Sequence, residues 1–398
     1  MTEWRQFKLK DILEPDGYIR GPFGSSLRRG ELKNEGIPVY EQEHAIKGIR
    51  KFRYYIDQNK FNELKRFCVK TGDIIISCSG TVGEVSVIKE EDPKGIISQA
   101  LLILRADKNV AYQPFLKYFL MSPYGKSFIT SRSDGSVQVN IAKRQVIENI
   151  DILLPPLPEQ KAIAEVLSSL DDKIDLLTRQ NKTLEDLAQA YFRKWFIEDA
   201  SDEWEVGKAE NYFEIGIGKT PPRKEEHWFS KNKDDVVWIS ISDMGKSGMF
   251  IGDSSEYLTE DAVRRFNIKR VPKGAIILSF KLTVGRVAIA LREFTTNEAI
   301  AHFIYKNDYE REYLYFYLKT FDYYSLGSTS SIATAVNSKI IKDMPFIMPN
   351  IEALQKYHKI AAPIFSKIEY NTNQILTLQK LRDTLLPKLI SGEIRVKM

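Results

Sequence analysis

The sequence predicts an α+β protein: two similar mixed α/β domains joined by two long antiparallel coiled-coil helices, arranged as a pseudo-twofold internal repeat. Three observations predict this class. VKTGDIIIS (Val69 to Ser77) returns as VPKGAIILS (Val271 to Ser279), and TVGEVSVI (Thr81 to Ile88) returns as TVGRVAIA (Thr283 to Ala290). Each half opens on a tryptophan, Trp4 or Trp204, and closes on a proline turn. After each turn the hydrophobic period changes from that of strands to that of a helix with heptad spacing.

Taken in order, residues 1–154 form a first mixed α/β domain, with β-branched runs at Asp73 to Ser77 and Ile96 to Arg105 and one helix-like stretch from Pro114 to Ile129. Leu154-Pro155-Pro156-Leu157-Pro158 forbids strand continuation, so residues 155–197 form the first long helix. The spacing of Pro155 and Pro158 also fits a peptide for an SH3-like groove, but strand-to-helix punctuation explains it more simply. Residues 198–348 form the second domain. Met348-Pro349-Asn350 opens the second long helix, residues 349–398.

The helices have sharply defined seams. In the first, Ile163, Leu167, Leu170, Ile174, Leu177, Asn181, Leu184, Ala188, Tyr191 and Trp195 alternate spacings of four and three. The second carries Tyr357, Ala361, Ile364, Ile368, Asn371, Ile375, Leu378, Arg382, Leu385 and Leu389. Such a stripe is a coiled-coil seam, and one buried asparagine in it fixes register at some cost in stability. Antiparallel pairing with Asn181 opposite Asn371 sets Ile163 against Leu389, Leu184 against Ile368 and Trp195 against Tyr357, leaving Leu170 to face Arg382. About 35 helical residues span roughly 50 Å. DNA half-sites read from one face lie roughly 34 Å or a little more apart, so the helices have the scale of a ruler. A coiled coil that merely scaffolds is the plainer reading of the same pattern.

Composition narrows the class. The 398 residues carry a formal net charge of +5, which permits a nucleic-acid partner without demanding one. Cys68 and Cys78 read as unpaired thiols in a reducing compartment. No apolar signal region and no membrane-length apolar run is present, so a cytoplasmic location is expected. Catalytic constellations are missing too. Gly218-Lys219-Thr220 is no Walker A motif, because Phe213 stands where its first glycine belongs. His44, His227, His302 and His358 are scattered without metal spacing, and Asp171-Asp172 reads as solvated charge on a helix. No metal site is expected.

GPFGSSL (Gly21 to Leu27), TGDIIISCSGTVGEV (Thr71 to Val85), GSVQVNI (Gly135 to Ile141) and above all LPPLPEQKAIAEVL (Leu154 to Leu167) resemble the specificity subunit of Type I restriction-modification enzymes. The resemblance covers essentially the whole chain. The second copy departs from it: Pro349-Asn350-Ile351-Glu352 replaces the prolines, and Phe280-Lys281-Leu282 stands for Cys78-Ser79-Gly80. The resemblance implies two target-recognition domains, each binding half of a bipartite DNA target, and two conserved spacer helices. It further implies docking of two modification (methyltransferase) subunits and of restriction (translocase/nuclease) subunits. S-adenosylmethionine, ATP and Mg then belong to those partners, and no cofactor to this chain. The expected function is a sequence-specific, non-catalytic DNA-binding subunit that directs adenine-N6 methylation and ATP-dependent restriction, in phage defence. The alternatives are a coiled-coil scaffold without sequence preference and a stand-alone DNA methyltransferase, for which the Asn-Pro-Pro-aromatic tetrapeptide is missing.

DNA contacts are then expected from loops and basic side chains. Arg20, Arg28 and Arg29 flank a turn containing Ser25 and Ser26, and Lys219, Thr220, Arg223 and Lys224 hold the corresponding place in the second half. A structural turn explains the glycines equally well. Base readers are sought in residues 131–140 and 327–337, where Gln138 can read adenine and Arg132 can grip guanine. Asn140 and Asn337 look equivalent between the repeats, which favours a structural role for both.

Overall fold

The computed structural model describes residues 3–23, 26–132, 139–326 and 337–397, the side chains of 131, 132, 139 and 140 apart. The chain divides into two units, one of Met1–Lys173 with Thr377–Met398 and the other of Ile174–Leu376. The long helices run over Leu157–Arg193 and Ile351–Ser391, so each unit holds part of both.

In unit 1 the central sheet pairs Leu13–Arg20, Leu101–Ala106, Ile74–Ser77 and Val85–Val87 in that order, all antiparallel. The expected strand from Ile96 to Arg105 is two strands, Ile96–Ile97 and Leu101–Ala106. They join different sheets, because Ile96–Ile97 runs parallel to Ile37–Tyr40. The helical stretch after Pro114 is likewise two helices, Gln113–Met121 and Pro123–Ile129. Ser122 divides them: its hydroxyl caps Gly125 N–H, and Pro123 begins the second helix.

Unit 2 repeats the sheet. Glu214–Ile217, Ile300–Ile304, Ile276–Ser279 and Val287–Ala290 follow in the same order, and Phe250–Ile251 adds a parallel edge strand. The Ser…Thr-Val-Gly motif has a physical basis in both copies. Ser77 donates to Thr81 O at 2.6 Å and accepts from Glu84 N–H at 3.0 Å. Ser279 makes the same two bonds to Thr283 O and Arg286 N–H. The turn between needs a left-handed residue, supplied by Gly80 (φ 65°) in unit 1. Unit 2 keeps Leu282 there (φ 61°), which costs a side-chain-bearing residue about 1–2 kcal/mol.

In both units the long helices pair antiparallel. Within unit 1, Ile163 and Leu167 share a core with Leu386, Leu389 and Ile390, and Leu385 packs against it. Arg382, at a seam position, bonds Asp171 at 2.9 Å. Asp171 is therefore no solvated charge. Burial alone would raise its pKa, but Lys117, Arg382 and Tyr118 together hold its carboxyl below the usual range. Within unit 2, Asn371 donates to Asn181 Oδ1 at 2.9 Å, and Ile368 packs in the core that Leu184 and Ile364 flank. Leu170, Ile375 and Leu378 are half-buried, as a two-helix seam leaves them, whereas Ile174 and Leu177 are buried. Near the end of the first helix the seam shifts by one residue. Tyr191 is exposed, and Phe192 packs instead against Phe196, Tyr313 and Phe316. There the helix meets a domain body as well as its partner helix, and the apolar stripe widens accordingly.

The Glu159-Gln160 pair that begins the first helix clamps the chain around it. The Glu159 carboxylate, 1% exposed, accepts from Trp4 Nε1 and from Arg395. Gln160 accepts from Tyr112 N–H and donates to the carbonyls of Val110 and Pro155. The tail after Ser391 therefore returns to Trp4, where Gly392 lies against the indole. In the second copy Ala353 and Leu354 stand in the places of Glu159 and Gln160, and the junction is apolar, with Leu354 in the core and Trp204 packed against it.

Since the C-terminal tail lies against Trp4, joining the termini and reopening the chain at exposed Asp202 should preserve the fold, checked by circular dichroism and cooperative melting. His302 is buried against the Thr296 hydroxyl at 2.6 Å, and desolvation, with a smaller contribution from Lys269, lowers its pKa to about 4. An unfolded histidine titrates near 6.5. The stability tied to neutral His302 is thus complete above about pH 6.5 and is lost as pH falls toward 4. Melting temperatures measured across that window should fall less steeply in His302→Gln than in the parent.

Candidate nucleic-acid interface

In unit 1 the sheet edge opens into a basic hollow of about 500 Å³, lined by Tyr18, Arg20, Gly21, Phe23, Arg66, Phe67, Ile141, Ala142, Lys143 and Arg144. Four cations line it. Arg144 bonds Glu148 at 2.7 Å and lies over the Tyr18 ring at 4.8 Å, while Arg66 and Lys143 are exposed. Arg20 makes no ion pair with a described carboxylate; it lies 5.9 Å from the Phe23 ring centroid, and its Nη1 is buried without a hydrogen-bond partner. A buried donor left unsatisfied is costly unless something supplies an acceptor. The chemistry suits an anion with several oxygens.

Behind the hollow, burial pushes the Cys78 thiol up to about 12, against the opposing influence of Arg20. Burial likewise raises Tyr18 to about 12. Cys78 therefore stays protonated, a packing residue and not a nucleophile. Cys68 is half-buried and also unpaired.

Arg28 and Arg29 are exposed on the loop after Phe23, and Ser26 is exposed beside them. Ser25, Gln138 and the Arg132 side chain lie outside the described residues. In unit 2, Lys219 Nζ donates to Phe266 O at 3.2 Å and Thr220 bonds Glu298. Arg223 pairs with Glu256 at 3.0 Å and stacks over Phe229 and Trp238 at 4.3 and 4.7 Å. That guanidinium is already neutralised and ordered. Lys224 is exposed. The glycines of the two turns have a packing reason: a Cβ on Gly21 would lie 1.9 Å from Ser98 O, and one on Gly218 2.2 Å from Asn297 O.

The strand registers overturn the equivalence of Asn140 and Asn337. Lys8 pairs with Asp151 and Lys208 with Pro345, and this register matches Asn337 to Lys143, not to Asn140. Both precede a short helix, and Asn337 caps its own by accepting from Lys339 and Ile340 N–H. The same registers match Arg20 to Ile217 and Arg144 to Ser338. Sequence reasoning missed Arg66, Lys143 and Arg144. The Lys143-Arg144 dipeptide was a signal, whereas Arg66 reaches the hollow only through long-range folding.

The model of the Type I restriction modification DNA specificity domain matches residues 1–186 and again residues 201–382. The chain belongs to this family. It is 27% identical over 428 residues to the Type I restriction enzyme MjaIX specificity subunit of Methanocaldococcus jannaschii, covering 99% of this chain and 94% of that one. The HindI specificity subunit of Haemophilus influenzae is 24% identical, covering 82% of this chain and 87% of its own. Among solved structures, the S subunit of a Type I restriction-modification system from M. genitalium shares the fold, with a TM-score of 0.54 at 16% identity over 99% of this chain and 96% of that one. For a member of this family the two matched segments coincide with the two repeated sheets, and the basic hollow falls within the first. Among the described residues no group of histidine, cysteine and carboxylate side chains is placed to hold a metal ion, and no helix is long and apolar enough to cross a membrane.

If the hollow holds phosphate, Lys143→Asn with Arg144→Ser should reduce the salt dependence of DNA binding. Each lost phosphate contact lowers the slope of log K against log salt by about 0.9. Fluorescence anisotropy across a salt series checks this, with an unchanged melting temperature as the control.

Proposed function

We propose that this chain is the DNA-reading subunit of a Type I restriction-modification system, in which each repeat recognises one half of a bipartite target and the long helices supply the spacer. The observation that carries the reading is the specificity-domain match to both repeats. The basic hollow supports it, because phosphate contacts position a reader on the duplex while loops read the bases. Arg20, Arg28 and Arg29, with Arg66, Lys143 and Arg144, are the phosphate-facing set of the first repeat. Lys219 and Lys224 serve the second, with Arg223 and Thr220 bracing that loop.

The chain acts without chemistry of its own. Adenine-N6 methylation and ATP-dependent cleavage fall to modification and restriction subunits, which carry S-adenosylmethionine, ATP and Mg. Exposed Leu176, Leu187, Tyr191 and Ile197 on or just past the first helix, with Tyr370 and Leu381 on the second, are the apolar anchors that subunit docking uses. In this role the protein works in the cytoplasm beside the DNA it marks.

Band shifts with and without the methyltransferase partner test the proposal. The assembled complex should retain a two-part duplex site and lose it when bases are inserted between the halves. Indifference to that spacing, or binding of S-adenosylmethionine or ATP by the purified chain in calorimetry, contradicts it.

A further inference from the structure

Leu282 and Tyr324 are the two most exposed large apolar side chains among the described residues, at 79% and 75%. They line one hollow of about 460 Å³ in unit 2, with Thr283, Val284, Phe321 and Tyr323 around them. Asp322 also borders it, but its carboxylate accepts the Tyr324 N–H at 3.0 Å. Neither solvation nor local conformation favours leucine at position 282. The first repeat shows what folding alone prefers there, since Gly80 occupies the same left-handed place in an otherwise matching turn. A strained, solvent-facing leucine kept where glycine suffices points to a role outside folding.

We infer that Leu282 and Tyr324 form an apolar wedge that meets a base step in the half-site read by the second repeat. The inference rests on the DNA-reading function proposed above. Position favours nucleobases as the occupant. The turn holding Leu282 follows an inner strand, at the end of the sheet that in unit 1 reaches the basic hollow: the carbonyl of Cys78, two residues before Gly80, accepts from Ile141 N–H at 3.3 Å, and Ile141 lines that hollow. Chemistry favours them too. Leucine is among the residues that enter between bases and unstack them, tyrosine offers a stacking face, and neighbouring Lys281 brings positive charge to the backbone. At this end of the sheet the two repeats thus differ: where the first has cations at Arg20, Lys143 and Arg144, the second has Ile217, Asn337 and Ser338 and adds an apolar probe to the phosphate contacts of Lys219 and Lys224.

The test uses the full chain with its methyltransferase partner and a duplex selected by that complex from a random pool, with 2-aminopurine placed stepwise through each half-site. The parent complex should raise the fluorescence at one step of a single half-site. Leu282→Gly should melt no lower than the parent, yet lose that signal and bind more weakly. Tyr324→Ala should weaken binding about 5- to 100-fold, the factor carried by one base stacked on an aromatic ring. Parental affinity and fluorescence in Leu282→Gly overturn the wedge while leaving the DNA-reading function intact. Loss of methyltransferase binding with unchanged DNA affinity also overturns it, assigning the hollow to the partner protein. A parent complex that selects no sequence from the pool removes the DNA-reading function and the wedge together.

Discussion

The contact between Asn181 and Asn371 is the interaction on which the register of the helix pair depends. Asn371 is fully buried in unit 2, and its amide donates to Asn181. In this register the Asn371 Oδ1 is buried without a partner, and a slip of one heptad would set the amide against Ile174 or Ala188 and take away its bond to Asn181 as well, adding a second unsatisfied group at a cost folding does not tolerate cheaply. The same antiparallel register holds in unit 1, where Arg382 meets Asp171 and Ile163 shares a core with Leu389. Each domain body is then attached to a helix pair whose residues are already specified. Tyr118 bonds Asp171 in unit 1, and Tyr315 bonds Glu185 in unit 2 at 2.6 Å.

The repeat, the proline junctions and the helix seams were legible in the sequence because each is a local, periodic pattern. Period fails where tertiary contacts decide. Tyr191 continues the heptad but is exposed, since beyond Ala188 the helix also faces Tyr313 and Phe316, and Phe192 points that way. Asp171 looked like a solvated charge because Arg382 and Lys117, its partners, are distant in the chain. The basic hollow was half legible: Arg20 sits in a recognisable turn, but Arg66 and Arg144 join it only through folding. Asn140 and Asn337 look equivalent in the repeat, but the strand registers match Asn337 to Lys143.

The duplication conserves what a frame needs and varies what a reader needs. The Ser77 and Ser279 turns, the sheet order and the glycines at 21 and 218 are the same device twice, each dictated by a hydrogen bond or a close approach. At the neighbouring edge the copies diverge in kind. The first sets half-buried Arg20 beside the Cys78 thiol; at the matching positions the second has Ile217 and buried Phe280. Two domains serving one sequence would have no reason to differ there, whereas two reading unlike half-sites would.

Modified-base sequencing of host DNA, with and without the gene for this chain, decides whether the chain sets where methylation falls. Methylated adenines should lie within a two-part motif of fixed spacing and all be lost when the chain is absent. Methylation that persists unchanged without the chain, or a motif with no internal gap, would contradict it.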